Sequence, residues 1–252
     1  GFVILKNFIS NNQFDIICEK LNKNIEIEFN KIDKKKLAGS LMGNLSMQPG
    51  NHTKEIFDLL IENNINRIIE TLSKNKISDL DVYVSGNINF QFKYNQHFHT
   101  DGSFENNYLI VNIATENITE LNGPLEISPG THKQELPYWK FLLKKKEKKK
   151  VLLSKGDILI RNSAAWHRGT INISKKPRFL LGYILKNKKE KIPKFDFDKN
   201  SKFKIGQNIF DRSIIGKIEE NLYTRFSYLY LVIRLIKSFF KKNNKTLDDK
   251  NF

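Results

Sequence analysis

The sequence has one cysteine, Cys18, and a disulfide needs two, so no internal bridge staples the chain. A reducing cytoplasm is the compartment this favours. Also lacking is a charged-then-apolar leader with a small-residue cleavage site, so no secretory signal is expected, although the chain begins at Gly1 and not at a methionine. No unbroken apolar run reaches the roughly 18 residues that a membrane span needs. The greasiest stretch, Ile214 to Phe240, is interrupted by Arg225, Arg234 and Lys237. No internal repeat is evident. No surface strip of interleaved aromatic and basic residues, of the kind that binds single strands, can be read out, which argues against nucleic acid as a partner.

What is present suits a globular enzyme-sized domain. The chain has 252 residues, of which 39% are hydrophobic and 12% aromatic, enough for one sizeable core without a second full domain. Lys and Arg number 43 against 27 Asp and Glu, a formal charge of +16 that would attract nucleic acid, anionic lipid or acidic small molecules. A plainer explanation competes: the chain is rich in Lys, Asn and Ile, which an AT-rich genome overproduces.

Apolar residues at Phe57, Ile61, Ile65, Ile68 and Leu72 fall at helical spacing and predict a helix over 54–76. Asp15–Leu21 reads as a shorter helix, and residues 1–76 as mostly helical packing material. From Leu80 the segments DVYVSGNINFQF, YLIVNIAT, VLLSKGDILIRN and RFLLGYIL are short, β-branched and aromatic, and are punctuated by turn residues. Helices leading into serial short strands predict an α+β domain whose β part is a sandwich or barrel. A single domain over 1–210, with its β core at about 80–190, would be followed by an amphipathic helix and basic tail over 211–252. That helix packs on the body of the domain, lies at a membrane interface or makes a dimer contact. The lysine run from Lys140 to Lys150 reads as a solvated loop or helix end, with steering of an anionic substrate or membrane as the functional alternative.

The informative segment is Gln96-His97-Phe98-His99-Thr100-Asp101-Gly102. In an extended chain residues two apart share a face, so His99 and Asp101 can reach one point. Imidazole nitrogen and carboxylate oxygen suit a borderline metal such as Fe(II); two His and one carboxylate leave open positions for co-substrate and O2. The third ligand must come from elsewhere, and His167, after the strand-like GDILIRN, is the best candidate. Eleven residues on, Arg178 opens another strand-like run, with a planar fork that matches a carboxylate.

These pieces together resemble the phytanoyl-CoA dioxygenase (PhyH-like) family of Fe(II)/2-oxoglutarate oxygenases. Those that carry the resemblance are QHFHTD at 96–101, NGPLEISPGTH at 122–132, GDILI at 156–160 and WHRGTINIS at 166–174, followed by Arg178, spanning roughly 85–185. The resemblance implies a double-stranded β-helix, a cupin-like jelly-roll with flanking N-terminal and C-terminal helices. It implies iron on His99, Asp101 and His167, and 2-oxoglutarate with its distal carboxylate on Arg178. Asn122, Gly123 and Pro124 would shape a turn bordering the site, and Gln96, Asn172 and Ser174 match positions near the co-substrate or metal. The family's upstream co-substrate contact has three candidates, Asn44, Asn89 and Asn112. Iron, 2-oxoglutarate and O2 would hydroxylate a small molecule with release of succinate and CO2, with ascorbate helpful in vitro. The Asp101 carboxylate favours hydroxylation, since related halogenases lack it.

Other residues have plainer readings. His97 shares the parity of His99 and Asp101, which leaves it a substrate-facing or supporting role. His132 reads as a turn residue, His52 as helix-start or surface, Trp166 as packing or shielding, and Cys18 as inert; Arg168 stays unassigned. The rival functions are a catalytically silent jelly-roll that binds a ligand without turnover, and a nucleic-acid demethylase of the same superfamily. Basic charge and the greasy C-terminal helix favour an anionic or membrane-associated substrate, such as a saccharide, acyl or natural-product intermediate, and peripheral contact at the inner face of the membrane.

Overall fold

A computed structural model describes residues 1–33, 43–48, 52–92, 94–144, 146–188, 204–205 and 214–240. The expected basic tail after Phe240 lies outside them, as does Lys145 in the lysine run. Among the described residues, ten strands fall in two antiparallel sheets. The larger contains β1 (Phe2–Leu5), β2 (Asn44–Gln48), β3 (Leu80–Asn89), β4 (Leu109–Ile113), β7 (Ile158–Asn162), β9 (Arg178–Asn187) and β10 (Lys204–Ile205), ordered β1-β7-β4-β9-β3-β2-β10. The smaller is β6 (Lys149–Val151), β5 (Leu125–Ile127) and β8 (His167–Gly169), in that order. The jelly-roll with flanking helices is thus the observed fold. β1 and β2 lie within the stretch read as helical, and β1 pairs with β7 in register from Phe2–Arg161 to Leu5–Ile158.

Helices cover the outer face of the large sheet. α1 runs Asn12–Asn30, longer than the expected Asp15–Leu21, and starts where the Asn11 side chain accepts the Phe14 N–H at 2.8 Å. Its buried stripe continues through Leu21 to Ile25 and Phe29, and each such side chain contributes roughly 1.5–3 kcal/mol by leaving water. The predicted helix over 54–76 is two helices, α2 (His52–Glu62) and α3 (Ile65–Ser73). The break is at Asn64, which takes the left-handed conformation (φ 62°) that asparagine tolerates. Ile56, Leu59, Leu60, Ile65 and Ile69 are fully buried, whereas Leu72 at the end of the expected stripe is exposed.

Register separates the faces of the large sheet, because residues directly opposite one another share a face. Val111, Ile113, Ile158, Ile160, Leu181 and Tyr183 pack outward against the helices. Leu159 and Leu180 point inward, joining Ile127, Val151 and Leu153 between the two sheets. The inward face then turns polar. Asn44, Asn89 and Arg178 form one row across β2, β3 and β9, and Asn87 lies two residues from Asn89 on the same side. Asn112 pairs with Leu159, and Arg161 is two residues further along β7. Buried polar groups inside a sandwich cost stability unless satisfied, so this patch marks where chemistry is housed.

Candidate metal centre

A backbone bridge brings the two predicted histidines together. His99 N donates to His167 O at 2.9 Å and His167 N to His99 O at 3.0 Å, so residues far apart in sequence stand directly opposite one another. β8 fixes His167 on one side through its pairing with Ile127 of β5. Gln96 extends the same ladder: its N–H donates to Gly169 O at 2.9 Å and its Oε1 accepts from Gly169 N at 2.8 Å.

His99, Asp101 and His167 offer ligand atoms that all lie within 4.8 Å of one another, so a single ion can reach all three. Asp101 Oδ2 is 3.3 Å from His167 Nε2, and Asp101 Oδ1 is 4.0 Å from His99 Nε2. The Nδ1 of His99 lies 2.9 Å from His97 O, and that of His167 lies 2.9 Å from Ala165 O. A carbonyl only accepts, so both Nδ1 atoms carry a proton, and both Nε2 atoms are turned toward Asp101, that of His167 lying against its Oδ2. Burial, followed by the neighbouring His167, pulls the His99 imidazole down to about 4, which keeps it neutral at pH 7. Burial alone would raise the Asp101 carboxyl, but Arg161 and His167 outweigh it and hold it well below the usual carboxylate range. The neutral His99 and the ionised Asp101 are thus in the protonation state a divalent cation requires. His167 is 4% exposed against 36% for His99 and 30% for Asp101, so the cluster is closed behind and open in front.

Arg161 is a further residue of the cluster that no sequence motif marks. Its Nη2 donates to Asp101 Oδ2 at 2.6 Å and its Nε to Asn112 Oδ1 at 3.2 Å, while its buried Nη1 has no hydrogen-bond partner. Arg178 is 2% exposed; it donates from Nη2 to Gly123 O at 2.6 Å and from Nη1 to Asn87 Oδ1 at 3.3 Å. Its Nε is buried without a hydrogen-bond partner, and burial draws its pKa down to about 10, with the Glu116 carboxylate acting in the opposite direction. Gly123 has φ 78°, and a Cβ there would overlap Asn89 Nδ2, so only glycine brings this carbonyl to Arg178.

The three asparagines considered for an upstream contact separate clearly. Asn89 donates to Gly123 O and Thr170 O, and Asn112 meets Arg161 and Leu181 O. Asn44 accepts from Asn87 and sits against Gly169, where a Cβ would overlap both Asn44 Nδ2 and Gln96 Oε1. It therefore links the strand of His167 to the partner of Arg178.

Asn172 and Ser174 bond to each other and to backbone carbonyls, one of them that of Asn89 in the row of Arg178. Asn172 Nδ2 donates to Asn89 O at 2.8 Å and Lys176 O at 3.0 Å, and its Oδ1 accepts from Ser174 N and Oγ, so the pair knits its own loop. Asn122 spends its amide on Thr119 N and Asn117 O, forming the turn that delivers Gly123. His97 does not join the cluster of ligand atoms; its Nδ1 lies 3.2 Å from Tyr138 Oη. Residues 94–98 make no regular strand, so alternation does not govern them. Arg168 donates to Glu126 Oε2 at 2.6 Å and stacks over Phe98, His132 sits in a 3-10 turn (Thr131–Lys133), and Trp166 is buried.

Several solved structures share this fold at low identity. The epimerase SnoN, solved with Fe3+, alpha-ketoglutarate and nogalamycin RO, superposes with a TM-score of 0.56 at 13% identity, over 74% of this chain and 79% of its own. The alpha-ketoglutarate-dependent carbocyclase SnoK gives 0.56 at 15% identity, over 74% and 79%. HygX from Streptomyces hygroscopicus, with nickel, 2-oxoglutarate and hygromycin B bound, gives 0.51 at 12%, over 75% and 84%. No curated protein matches the chain. Residues 1–180 match the phytanoyl-CoA dioxygenase family, a span that includes the metal cluster and Arg178, and the chain belongs to that PhyH family.

Proposed function

We propose that the protein is a non-haem iron, 2-oxoglutarate-dependent dioxygenase that hydroxylates a small anionic molecule. The observation that carries this is the convergence of His99, Asp101 and His167, with both Nδ1 atoms tied to carbonyls and both Nε2 atoms turned toward the Asp101 carboxylate, where one ion reaches all three. Family membership and relatives solved with 2-oxoglutarate and metal support the same reading. When bound, iron with 2-oxoglutarate and O2 supplies the oxidising power, releasing succinate and CO2.

The chain's own part is to bind, orient and shield. His99, Asp101 and His167 hold the metal and leave its remaining positions for small ligands. Arg161 holds the second oxygen of Asp101 and so fixes how that carboxylate presents itself. Arg178, with its unpartnered Nε, takes the distal carboxylate of 2-oxoglutarate, and Asn44, Asn87 and Gln96 border the same space. Buried Trp166 and Phe98 flank the histidines and limit water on the closed side.

A formal charge of +16 and the Asp101 carboxylate support an anionic substrate and hydroxylation respectively. SnoN and SnoK are named as an epimerase and a carbocyclase, so product mass is the readout that separates hydroxylation from other oxidations on this fold. The test is succinate release from 2-oxoglutarate with Fe(II) and ascorbate across anionic candidate substrates. Iron-dependent succinate with a product one oxygen heavier is expected. No succinate, coupled or uncoupled, refutes the reading in favour of a silent binding module.

A further inference from the structure

The C-terminal helices raise a separate question. α5 (Ile214–Arg225) and α6 (Ser227–Phe240) are two helices where one was expected over Ile214 to Phe240. Ile214 and Ile215 of α5 are 78% and 68% exposed, and Leu229, Val232 and Ile236 of α6 are each about half exposed. On α6 those three fall along one side at helical spacing, while buried Tyr230 and Leu231 point the opposite way. Leu231 is seated in a cluster with Phe98, Tyr138, Phe141 and Trp166. The helix is therefore tethered by one apolar face and bare on the other, where a surface helix is ordinarily polar.

The same cluster anchors a second element. α4 (Tyr138–Leu143) buries Tyr138 and Phe141, and Phe141 stacks on Trp166 with centroids 4.8 Å apart. It leaves Trp139 and Leu143 exposed, with Lys140 Nζ 5.3 Å from the Trp139 ring. The chain then runs into the lysine segment, so that residues 140–150 hold seven lysines against the single Glu147. Phe98 and Trp166 precede Phe98's neighbour His99 and His167 directly in sequence, so both elements meet beside the metal centre.

We propose that the bare faces of α5 and α6, with α4 and the lysine segment, form a docking surface for an anionic lipid bilayer. Exposed aliphatic and tryptophan side chains beside lysines suit a headgroup boundary, where the apolar groups insert and the ammonium groups meet lipid charge. No helix among the described residues is long and apolar enough to cross a membrane, so contact is interfacial. A second copy of this chain fits poorly, because each copy carries +16 and would set lysine against lysine. Binding is measured without iron or 2-oxoglutarate, so this proposal stands or falls apart from the oxygenase reading.

The experiment is co-sedimentation of the full chain with phosphatidylcholine vesicles, with and without phosphatidylglycerol. Binding to the anionic vesicles is expected, weakened about tenfold or more on neutral ones and by high salt. A Leu229→Gln/Val232→Gln/Ile236→Gln variant and a Lys144→Glu/Lys146→Glu variant should each lose most of it, with thermal melting and metal binding unchanged. No binding by the wild type, equal binding to neutral vesicles, or full binding by the triple-glutamine variant overturns the proposal. Self-association that disappears in that variant, without lipid binding, overturns it in favour of a second copy; retention only on an acidic protein overturns it in favour of that partner.

Discussion

Replacing Arg161 with methionine keeps the length of the side chain and removes its charge and fork. Two contacts are lost, the 2.6 Å bond to Asp101 Oδ2 and the 3.2 Å bond to Asn112 Oδ1. A hydrogen bond to a charged group contributes about 1.5–3 kcal/mol, and Arg161 is only 8% exposed, so little of this is screened. If the bond serves to orient Asp101 toward the metal, its loss appears as metal affinity weakened about 10–100-fold. An opposing effect exists, since a guanidinium repels a dication and its removal favours binding. Solvent reaches Asp101, whose side chain is 30% exposed, and screens that repulsion, so orientation is expected to dominate. Anaerobic calorimetry with Co(II) or Fe(II) reads the affinity, and circular dichroism confirms the fold. Arg161→Lys restores the charge without the two-point geometry and should recover only part of the affinity. Metal affinity unchanged or tightened in Arg161→Met would refute the reasoning.

Three further outcomes follow from particular contacts. Arg178→Lys keeps charge but loses the planar fork, so 2-oxoglutarate should bind about tenfold or more weaker in an anaerobic titration while metal affinity is unchanged. Asn172→Ala removes a fully buried amide that satisfies Asn89 O, Lys176 O and Ser174 N, and should cost about 2–4 kcal/mol in denaturant unfolding, with only a secondary effect on 2-oxoglutarate binding. Asp157 is raised by burial but lowered more by bonds from Lys6 Nζ and from the Asn7 and Ser154 N–H groups, so its net pKa is depressed. A depressed carboxylate stabilises above its unfolded value of about 3.9 and loses that effect as pH falls through the folded value, so wild type and Asp157→Asn should melt apart at pH 7 and converge in acid.

The candidate ligands were legible because their chemistry is local: His99 and Asp101 sit two apart, and His167 comes soon after the apolar run of β7, although it opens the short strand β8. The bridge between His99 and His167 was not legible, since nothing in either segment names its partner. Arg161 was hidden by its surroundings. Ile158, Leu159 and Ile160 are all apolar because this strand is buried on both faces, so no alternation shows which face the arginine takes. His97 shows the converse: its parity matches that of His99 and Asp101, but 94–98 is not a strand, so parity does not decide where its ring goes. Asn172 and Ser174 match family positions near the site; Ser174 bonds to Asn172 within their loop, while Asn172 also reaches Asn89 O on β3, a link nothing in the sequence names. The strands β1 and β2 are hidden among helical signals because each is short and takes its register from distant strands, β7 for β1 and β3 with β10 for β2. Asn64 split a helix that apolar spacing alone made continuous.

The central claim is that His99, Asp101 and His167 hold an iron to which 2-oxoglutarate binds. Adding Fe(II) and then 2-oxoglutarate to the protein without oxygen tests it directly, through the visible metal-to-ligand absorption that the paired ligands produce. The account predicts a band in the wild type that needs both additions and is absent in a folded His167→Ala variant. No band in the wild type, or an undiminished band in the variant, would contradict it.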